Sequence, residues 1–241
     1  MILLREVEVN PPGEATHEYP WNVTAVARLY RLRFETPVTF FVGDNGSGKS
    51  TVLEALAVKA GCHPEGGSRH ANYSPRHSNT ALAEAMHGIW NRPATDSFFF
   101  RAETFSAYAE YLEMIDGLTS YGGRSLHGQS HGESFLSTFG HRLQNLHGWS
   151  LYLFDEPESA LSVIGQFAFL RLLNDWVRGN RVQVIAATHS PILLAFPGAM
   201  IYNFDVTPIA PISYTDTPAY RLTRAFLADP AAFMHTLFQP E

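Results

Sequence analysis

The chain alternates short apolar runs with polar, glycine-containing segments, a pattern typical of an α/β protein. Three runs are bounded by turn-forming residues and predict buried strands: Val38–Val42, Leu151–Phe154 and Val182–Ala187. Apolar residues at helical spacing follow the first two runs, at about Gly48 to Ala60 and along 161–172. This alternation predicts a parallel sheet with flanking helices, in which functional residues lie at the carboxyl ends of the strands.

The remaining segments carry weaker patterns. Residues 1–42 are predicted as strands, with Val7, Val9, Val23, Val26 and Leu29 among polar neighbours. Further along, the patterns predict a helix over Ala81–Trp90, a strand at Ser97–Phe100, a helix from Glu133 to His147, a strand at Met200–Phe204 and helical turns over Leu222–Phe238.

Length and composition narrow the class of protein. A chain of 241 residues with 45% hydrophobic residues fits one soluble domain. The net charge of −6 gives no global electrostatic argument for binding nucleic acid. A single cysteine, Cys62, excludes an internal disulfide, and charges near the N-terminus interrupt any signal-peptide core. No apolar run reaches the length of a membrane span. We therefore expect a cytoplasmic protein.

The run Val38–Val42 leads directly into a phosphate-binding motif, G-x-x-x-x-G-K-[ST], over Gly43–Ser50. Its glycines allow the backbone to bend, so that successive N–H groups form an anion-binding nest at the start of a helix. Lys49 would contact the β- and γ-phosphates, and the Ser50 hydroxyl would bind Mg²⁺. The predicted nucleotide-binding residues here are Gly43, Asp44, Asn45, Gly46, Ser47, Gly48, Lys49, Ser50 and Thr51.

Two further groups follow the other buried strands. Asp155 and Glu156 come directly after Leu151–Phe154. We expect Asp155 to bind Mg²⁺, and Glu156, on the opposite face of an extended chain, to act as general base toward the attacking water. His189 follows Val182–Ala187 and would contact the γ-phosphate or that water.

The ordered set of motifs resembles the ATP-binding-cassette (ABC) class of P-loop ATPases. In that class a signature motif opens a helix upstream of the acidic strand; here it would be Gln129–Ser134, with Ser130 and Gly132 retained. His131 and Glu133 depart from the usual Leu-Ser-Gly-Gly-Gln. The D-loop would be Pro157–Ser162. The Q-loop position has no glutamine, and Glu103 is the residue proposed to take its role.

In more detail, the chain resembles small stand-alone ATPases that are often classed as AAA-family. The segments that carry this resemblance are Phe-Phe-Phe-Arg-Ala-Glu and Leu-Phe-Asp-Glu-Pro-Glu-Ser. The resemblance implies one domain over residues 1–241, an α/β P-loop NTPase fold of ABC type, and a short helical insert at about 62–147. About eighty residues separate the phosphate loop from the signature, without sustained heptads, so coiled-coil arms are not expected. An aromatic residue should stack on adenine; Tyr19, Trp21 and Tyr30 all remain possible.

The function implied is Mg²⁺-dependent hydrolysis of ATP by a compact head that forms an ATP-sandwiched homodimer and drives a partner. One alternative is the nucleotide-binding subunit of a membrane transporter, against which the missing Q-loop glutamine argues. Another is an ATP-gated regulator that scarcely hydrolyses ATP, against which Glu156 and His189 argue. The motifs name neither the partner nor the biological process.

Overall fold

The computed structural model describes residues 1–12, 17–68, 81–104 and 148–239. The strands are β1 Leu4–Val9, β2 Arg31–Arg33, β3 Val38–Val42, β4 Gly67–Ser68, β5 Met86–Trp90, β6 Asp96–Arg101, β7 Ser150–Asp155, β8 Val182–Ala187, β9 Met200–Asn203 and β10 Ala210–Pro211. The helices are α1 Thr24–Ala27, α2 Lys49–Lys59, α3 Ala81–Ala85, α4 Val163–Arg178, α5 Pro191–Leu194, α6 Pro218–Ala228 and α7 Pro230–Leu237, with short 3₁₀ helices at Pro157–Ala160 and Tyr214–Asp216.

The main sheet has the strand order β10-β9-β3-β8-β7-β6-β4 among the described residues. Its centre, β9-β3-β8-β7-β6, is parallel throughout, while β10 and β4 pair antiparallel at the two edges. Strands β3, β7 and β8 are buried at every position, which explains why each is a continuous apolar run rather than an alternating one. The mixed sheet with flanking helices confirms the predicted P-loop α/β fold.

Helix α2 packs on one face of the main sheet and is covered in turn by a second sheet of order β2-β1-β5. Its apolar residues Val52, Leu53 and Leu56 are fully buried in this layer. Gln183, buried in β8, joins the two sheets: its Oε1 accepts from the Leu3 and Leu4 amides at 2.8 Å each. A helix enclosed on both sides needs apolar residues around most of its surface, as α2 has.

The opposite face of the main sheet is covered by α4. Phe169, Leu173 and Trp176 on α4 pack against Phe154 and neighbouring strand residues in a second core cluster. Ser162 begins the helix, its hydroxyl accepting from the Gly165 amide at 3.1 Å. In the described part of the chain, no helix combines the length and apolar character needed to cross a membrane.

Two sequence predictions of secondary structure are wrong in part. The helix predicted for Ala81–Trp90 ends at Ala85, and Met86–Trp90 is a strand because it pairs antiparallel with β1. Val23 and Val26, predicted in strands, form the N-cap and part of α1. The helical character predicted for the insert stays a prediction for 105–147, since these residues and the predicted helix from Glu133 lie outside the described ranges.

The parallel core places five chain segments at one edge of the sheet. At this edge, β3 is followed by the phosphate loop and β8 by Thr188–His189. Strand β7 is followed by Glu156, and β6 by Ala102–Glu103. Strand β9 ends beside β3 and is followed by Phe204 and Asp205. The carboxyl edge of an open parallel sheet is where ligands bind in this class of fold.

Candidate functional site

The phosphate-binding loop turns tightly between β3 and α2. Gly43, Gly46 and Gly48 have φ values of 150°, 80° and 101°, and Gly48 is the left-handed N-cap of α2. At Gly43 a Cβ would lie 2.8 Å from Ser47 Oγ and 2.9 Å from Asp205 Oδ1, so a side chain there would force these groups to shift. The positive φ values favour glycine at all three positions, and Gly43 and Gly48 are in addition closely approached by neighbouring atoms.

Lys49 is the first residue of α2, directly after the bend at Gly48, and is 4% exposed. Its Nζ donates to the Gly43 carbonyl at 2.7 Å and to the Asp44 carbonyl at 2.8 Å. Burial lowers the pKa of Lys49, while the nearby carboxylates, Glu156 foremost, oppose that shift. The ammonium is thus a desolvated point charge, which attracts an anion more strongly than a charge in water does.

Ser50 and Asp155 are brought together from adjoining elements. Ser50 Oγ donates to Asp155 Oδ1 at 2.9 Å. Burial raises the pKa of Asp155 to about 6, against the lowering effects of the Ser50 hydrogen bond and of Arg101. A buried carboxylate beside a hydroxyl offers the hard oxygen ligands that Mg²⁺ prefers, and a cation would relieve the cost of burying the charge. The two residues fit the metal role predicted for them.

Arg101, at the end of β6, is a charged residue whose role sequence reasoning missed. Its Nη1 lies 3.5 Å from Glu54 Oε2, its Nη2 3.8 Å from Glu103 Oε2 and its Nε 3.9 Å from Asp155 Oδ2. Arg101 therefore partly balances the acidic group around the predicted metal ligand. The Glu103 side chain is 85% exposed and reaches the edge of the nucleotide cavity.

Glu156 is not on an extended chain as predicted. It has φ 49°, in the left-handed region, and begins the 3₁₀ helix Pro157–Ala160. This backbone conformation costs a non-glycine residue on the order of 1 kcal/mol of free energy, and it typically occurs where the surrounding structure fixes the residue. Here the amide of Glu156 donates to the Ala187 carbonyl at 3.0 Å, and the side chain is directed into the nucleotide cavity rather than across the sheet.

His189 lies beside Glu156 in the lining of the cavity, with 3.8 Å between His189 Nε2 and Glu156 Oε1. Its position is fixed by Glu158 from the predicted D-loop. One Glu158 oxygen accepts from Thr188 Oγ1 at 2.8 Å, and the other accepts from the His189 amide at 2.6 Å. Sequence reasoning placed Glu158 in a loop without assigning this contact, which spans 31 residues.

One cavity of about 620 Å³ collects most of the predicted site residues. It is lined by Tyr19, Val23, Asn45, Gly46, Gly48, Lys49, Ser50, Thr51, Glu103, Glu156 and His189. Gly43, Asp44 and Ser47 belong to the same loop but lie outside this lining. Asp155 lines an adjoining cavity of about 760 Å³, together with Arg101 and Ser159, and the two cavities share Ser50, Glu103 and Glu156.

Of the three aromatic residues considered for adenine, the structure brings Tyr19 to this cavity. Its hydroxyl lies 2.9 Å from Thr51 Oγ1, and its side chain is substantially exposed. Trp21 packs against the core cluster around α2, and Tyr30 does not line the cavity. The predicted signature residues Ser130 and Gly132 lie outside the described residues.

Known proteins match both the sequence and the fold. A family model described as an AAA domain matches residues 28–81. The cytochrome c biogenesis ATP-binding export protein CcmA of Rhodopseudomonas palustris (strain BisB5) is 31% identical over 162 residues, covering 64% of this chain and 78% of the relative. CcmA of Bradyrhizobium diazoefficiens is 32% identical over 157 residues, covering 61% of this chain and 76% of the relative.

Among solved structures, cbiO1 from Clostridium perfringens, part of the ABC transporter complex cbiONQ, has a TM-score of 0.50 at 16% identity. The match covers 98% of this chain and 99% of that one, and it supports the fold. Together with the relatives above, it confirms the resemblance drawn from the motifs. The chain belongs to the ABC-type P-loop ATPases and is an ATP-binding protein of that family.

Proposed function

We propose that this chain binds Mg·ATP in the cavity over Gly43–Thr51 and hydrolyses it, working as a compact ABC-type head formed by residues 1–241. The observation that carries the proposal is the convergence of the phosphate loop, Glu156 and His189 on one cavity, with the Ser50–Asp155 hydrogen bond at its edge. Magnesium-dependent phosphate release from ATP by the purified chain tests it. Release no faster than spontaneous hydrolysis would favour the non-hydrolysing regulator.

Phosphate binding in this proposal rests on the backbone and on Lys49. The loop N–H groups and the amino end of α2 provide donors and a positive dipole end. The buried Lys49 ammonium already satisfies two loop carbonyls and adds a full positive charge beside them. When bound, Mg²⁺ at Ser50 and Asp155 would neutralise charge on the phosphate oxygens.

Glu156 is proposed as the general base and His189 as its neighbour on the cavity wall. A base must come within hydrogen-bond reach of the water proton that it removes, and both side chains face the space beside Lys49 and Ser50. Glu158 holds the His189 amide, so the histidine has a fixed backbone position from which to contact the γ-phosphate or the water. Glu103 would approach from the β6 end.

Tyr19 is proposed to stack on the adenine ring. Tyr19→Ala should weaken Mg·ATP binding roughly tenfold, because aromatic stacking on a base contributes about 1–3 kcal/mol. Tyr19→Phe keeps the ring and should bind Mg·ATP nearly as well as the wild type does. The matched control is Tyr30→Ala, because Tyr30 is an exposed aromatic residue that does not line the cavity. Calorimetric titration measures all three. Equal losses for Tyr19→Ala and Tyr30→Ala would remove Tyr19 from this role.

The open side of the cavity supports an ATP-sandwiched homodimer. The Glu156 and His189 side chains are 41% and 42% exposed, so bulk water reaches the groups proposed for chemistry. Water there weakens electrostatic stabilisation of the transition state, and a second copy contributing Ser130 and Gly132 at a helix N-terminus would exclude it. We propose that the dimer forms only with ATP.

Ser130→Arg is expected to block ATP-dependent dimerisation and hydrolysis while leaving ATP binding by the single subunit largely intact, because the larger cation would obstruct the proposed contact. Light scattering in saturating Mg·ATP, in a Glu156→Gln background where ATP persists, measures the mass. Ser120→Arg, in the same glycine-rich stretch, is the control. A monomeric mass at every concentration for the Glu156→Gln protein with Ser130 intact, together with wild-type turnover that does not depend on protein concentration, would contradict the dimer.

A second candidate function is the nucleotide-binding subunit of an export system. It is favoured by relatives named ATP-binding export proteins, of whose length this chain covers more than three quarters. The exposed Glu103 at the Q-loop position, where glutamine is expected, does not favour it. Co-purification of the Glu156→Gln variant with an integral membrane partner would support it, and recovery of soluble partners alone would oppose it.

A further inference from the structure

Asp205 lies beside the phosphate-binding loop, although it is 161 residues away from it in sequence. Its Oδ1 accepts a hydrogen bond from the Asp44 amide at 2.7 Å. Asp44 is the second residue of the loop, directly after the bend at Gly43. The contact therefore joins the entrance of the loop to the segment that follows β9.

The sheet explains how a distant residue reaches this position. Strand β9 runs parallel to β3, with Phe41 opposite Tyr202 and Val42 opposite Asn203. The pairing continues one step further, because the Phe204 amide donates to the Val42 carbonyl at 2.8 Å. The next residue on the β9 side is Asp205, level with the start of the loop.

Asp205 is held from its own side as well. Its amide donates to Asn203 Oδ1 at 2.9 Å, which bends the chain so that the carboxylate is directed back at the loop. The Phe204 ring packs on Phe41 with 4.8 Å between centroids, fixing the preceding residue. A Cβ at Gly43 would lie 2.9 Å from Asp205 Oδ1, so the glycine is also what allows the carboxylate this close.

The charge of Asp205 is directed toward the same site. It is among the carboxylates that favour the charged form of Lys49. A negative charge near a triphosphate opposes binding, so the benefit of this residue to nucleotide binding lies in its hydrogen bond and not in its charge. An amide side chain would keep the acceptor oxygen and remove the charge.

We propose that Asp205 is a positioning residue for the nucleotide site: it fixes the entrance of the phosphate loop, through the Asp44 amide, in the conformation that presents the remaining N–H groups to phosphate. This role rests on the proposed function. The hydrogen bond holds the loop in one conformation before the ligand arrives, so its loss should be felt as loss of preorganisation for the ligand.

The test compares Asp205→Ala with Asp205→Asn by calorimetric titration with Mg·ATP. Asp205→Ala should weaken binding roughly tenfold, raising KM while leaving kcat at saturation unchanged. Asp205→Asn should bind as well as the wild type or better. Asp175→Ala, which removes an exposed carboxylate on α4, is the matched control and should bind normally. Thermal unfolding without nucleotide should be unchanged in all three, because Asp205 and Asp175 are exposed.

Wild-type affinity in Asp205→Ala would overturn the proposal. Equal weakening in Asp205→Ala and Asp205→Asn would overturn it too, since the hydrogen bond would then not be what matters. A lower unfolding midpoint that alone accounts for the lost binding would reduce Asp205 to a structural residue and also overturn it. Failure of the proposed function gives a different result, in which the wild-type chain itself does not bind Mg·ATP.

Discussion

Lys49→Ala is expected to weaken Mg·ATP binding by roughly 100-fold or more, because removing one partner of a buried charge pair costs about 2–5 kcal/mol. Lys49 is 4% exposed, so solvent cannot replace its charge. The substitution also removes the two hydrogen bonds by which Nζ holds the Gly43 and Asp44 carbonyls. Titration calorimetry with Mg·ATP measures the affinity directly.

Lys59→Ala provides the matched control for this prediction. Lys59 is the last residue of the same helix, is exposed, and lies at the end of α2 away from the loop. The Lys59→Ala variant should bind Mg·ATP as the wild type does. Because the alanine at position 49 also removes the apolar stem, Lys49→Met keeps the stem and tests the ammonium group, that is, its charge and its two hydrogen bonds together. Unchanged affinity in both position-49 variants would contradict the site.

Glu156→Gln should slow hydrolysis by roughly 10²–10⁴-fold, since general-base catalysis contributes about that factor. Glutamine has nearly the same shape and makes the same demand on the left-handed backbone, so ATP binding should persist. Steady-state phosphate release measures the rate, and calorimetry on the same protein measures binding. Glu35→Gln, an exposed residue away from the cavity, should behave as the wild type.

Near-normal turnover by Glu156→Gln would reassign the base to another carboxylate. Glu158 is then a poor substitute, because both of its oxygens accept hydrogen bonds from Thr188 and His189. Glu103 lines the cavity and would be tested next as Glu103→Gln. His189→Ala should reduce turnover as well, through loss of a contact to the γ-phosphate or the water.

The sequence predicted the phosphate-binding loop and its flanking elements, because consecutive residues form them. The strand β3, the glycine bends and helix α2 follow within about twenty residues, and each glycine is needed for its backbone angle or its close contact. Buried parallel strands are long apolar runs, so β7 and β8 were also predictable. Parallel strands share one edge, which is why Asp155 and His189 were expected near the loop.

What the sequence did not predict depends on contacts between distant segments. Met86–Trp90 becomes a strand because β1 pairs with it, some eighty residues earlier in the chain. Glu156 has a left-handed backbone, and a hydrogen bond from its amide to Ala187 on the neighbouring strand fixes its position. Asp205 reaches Asp44, and Tyr19 reaches Thr51, only after the sheet and its loops have formed. No residue spacing within either segment indicates such a contact.

The most direct test of the central claim is a crystal structure of the Glu156→Gln variant grown with Mg·ATP. The account predicts a triphosphate against the loop over Gly43–Thr51, with Lys49 on its phosphates and a metal ion at Ser50 and Asp155. Nucleotide bound elsewhere on the molecule, or a loop left empty at saturating Mg·ATP, would contradict it.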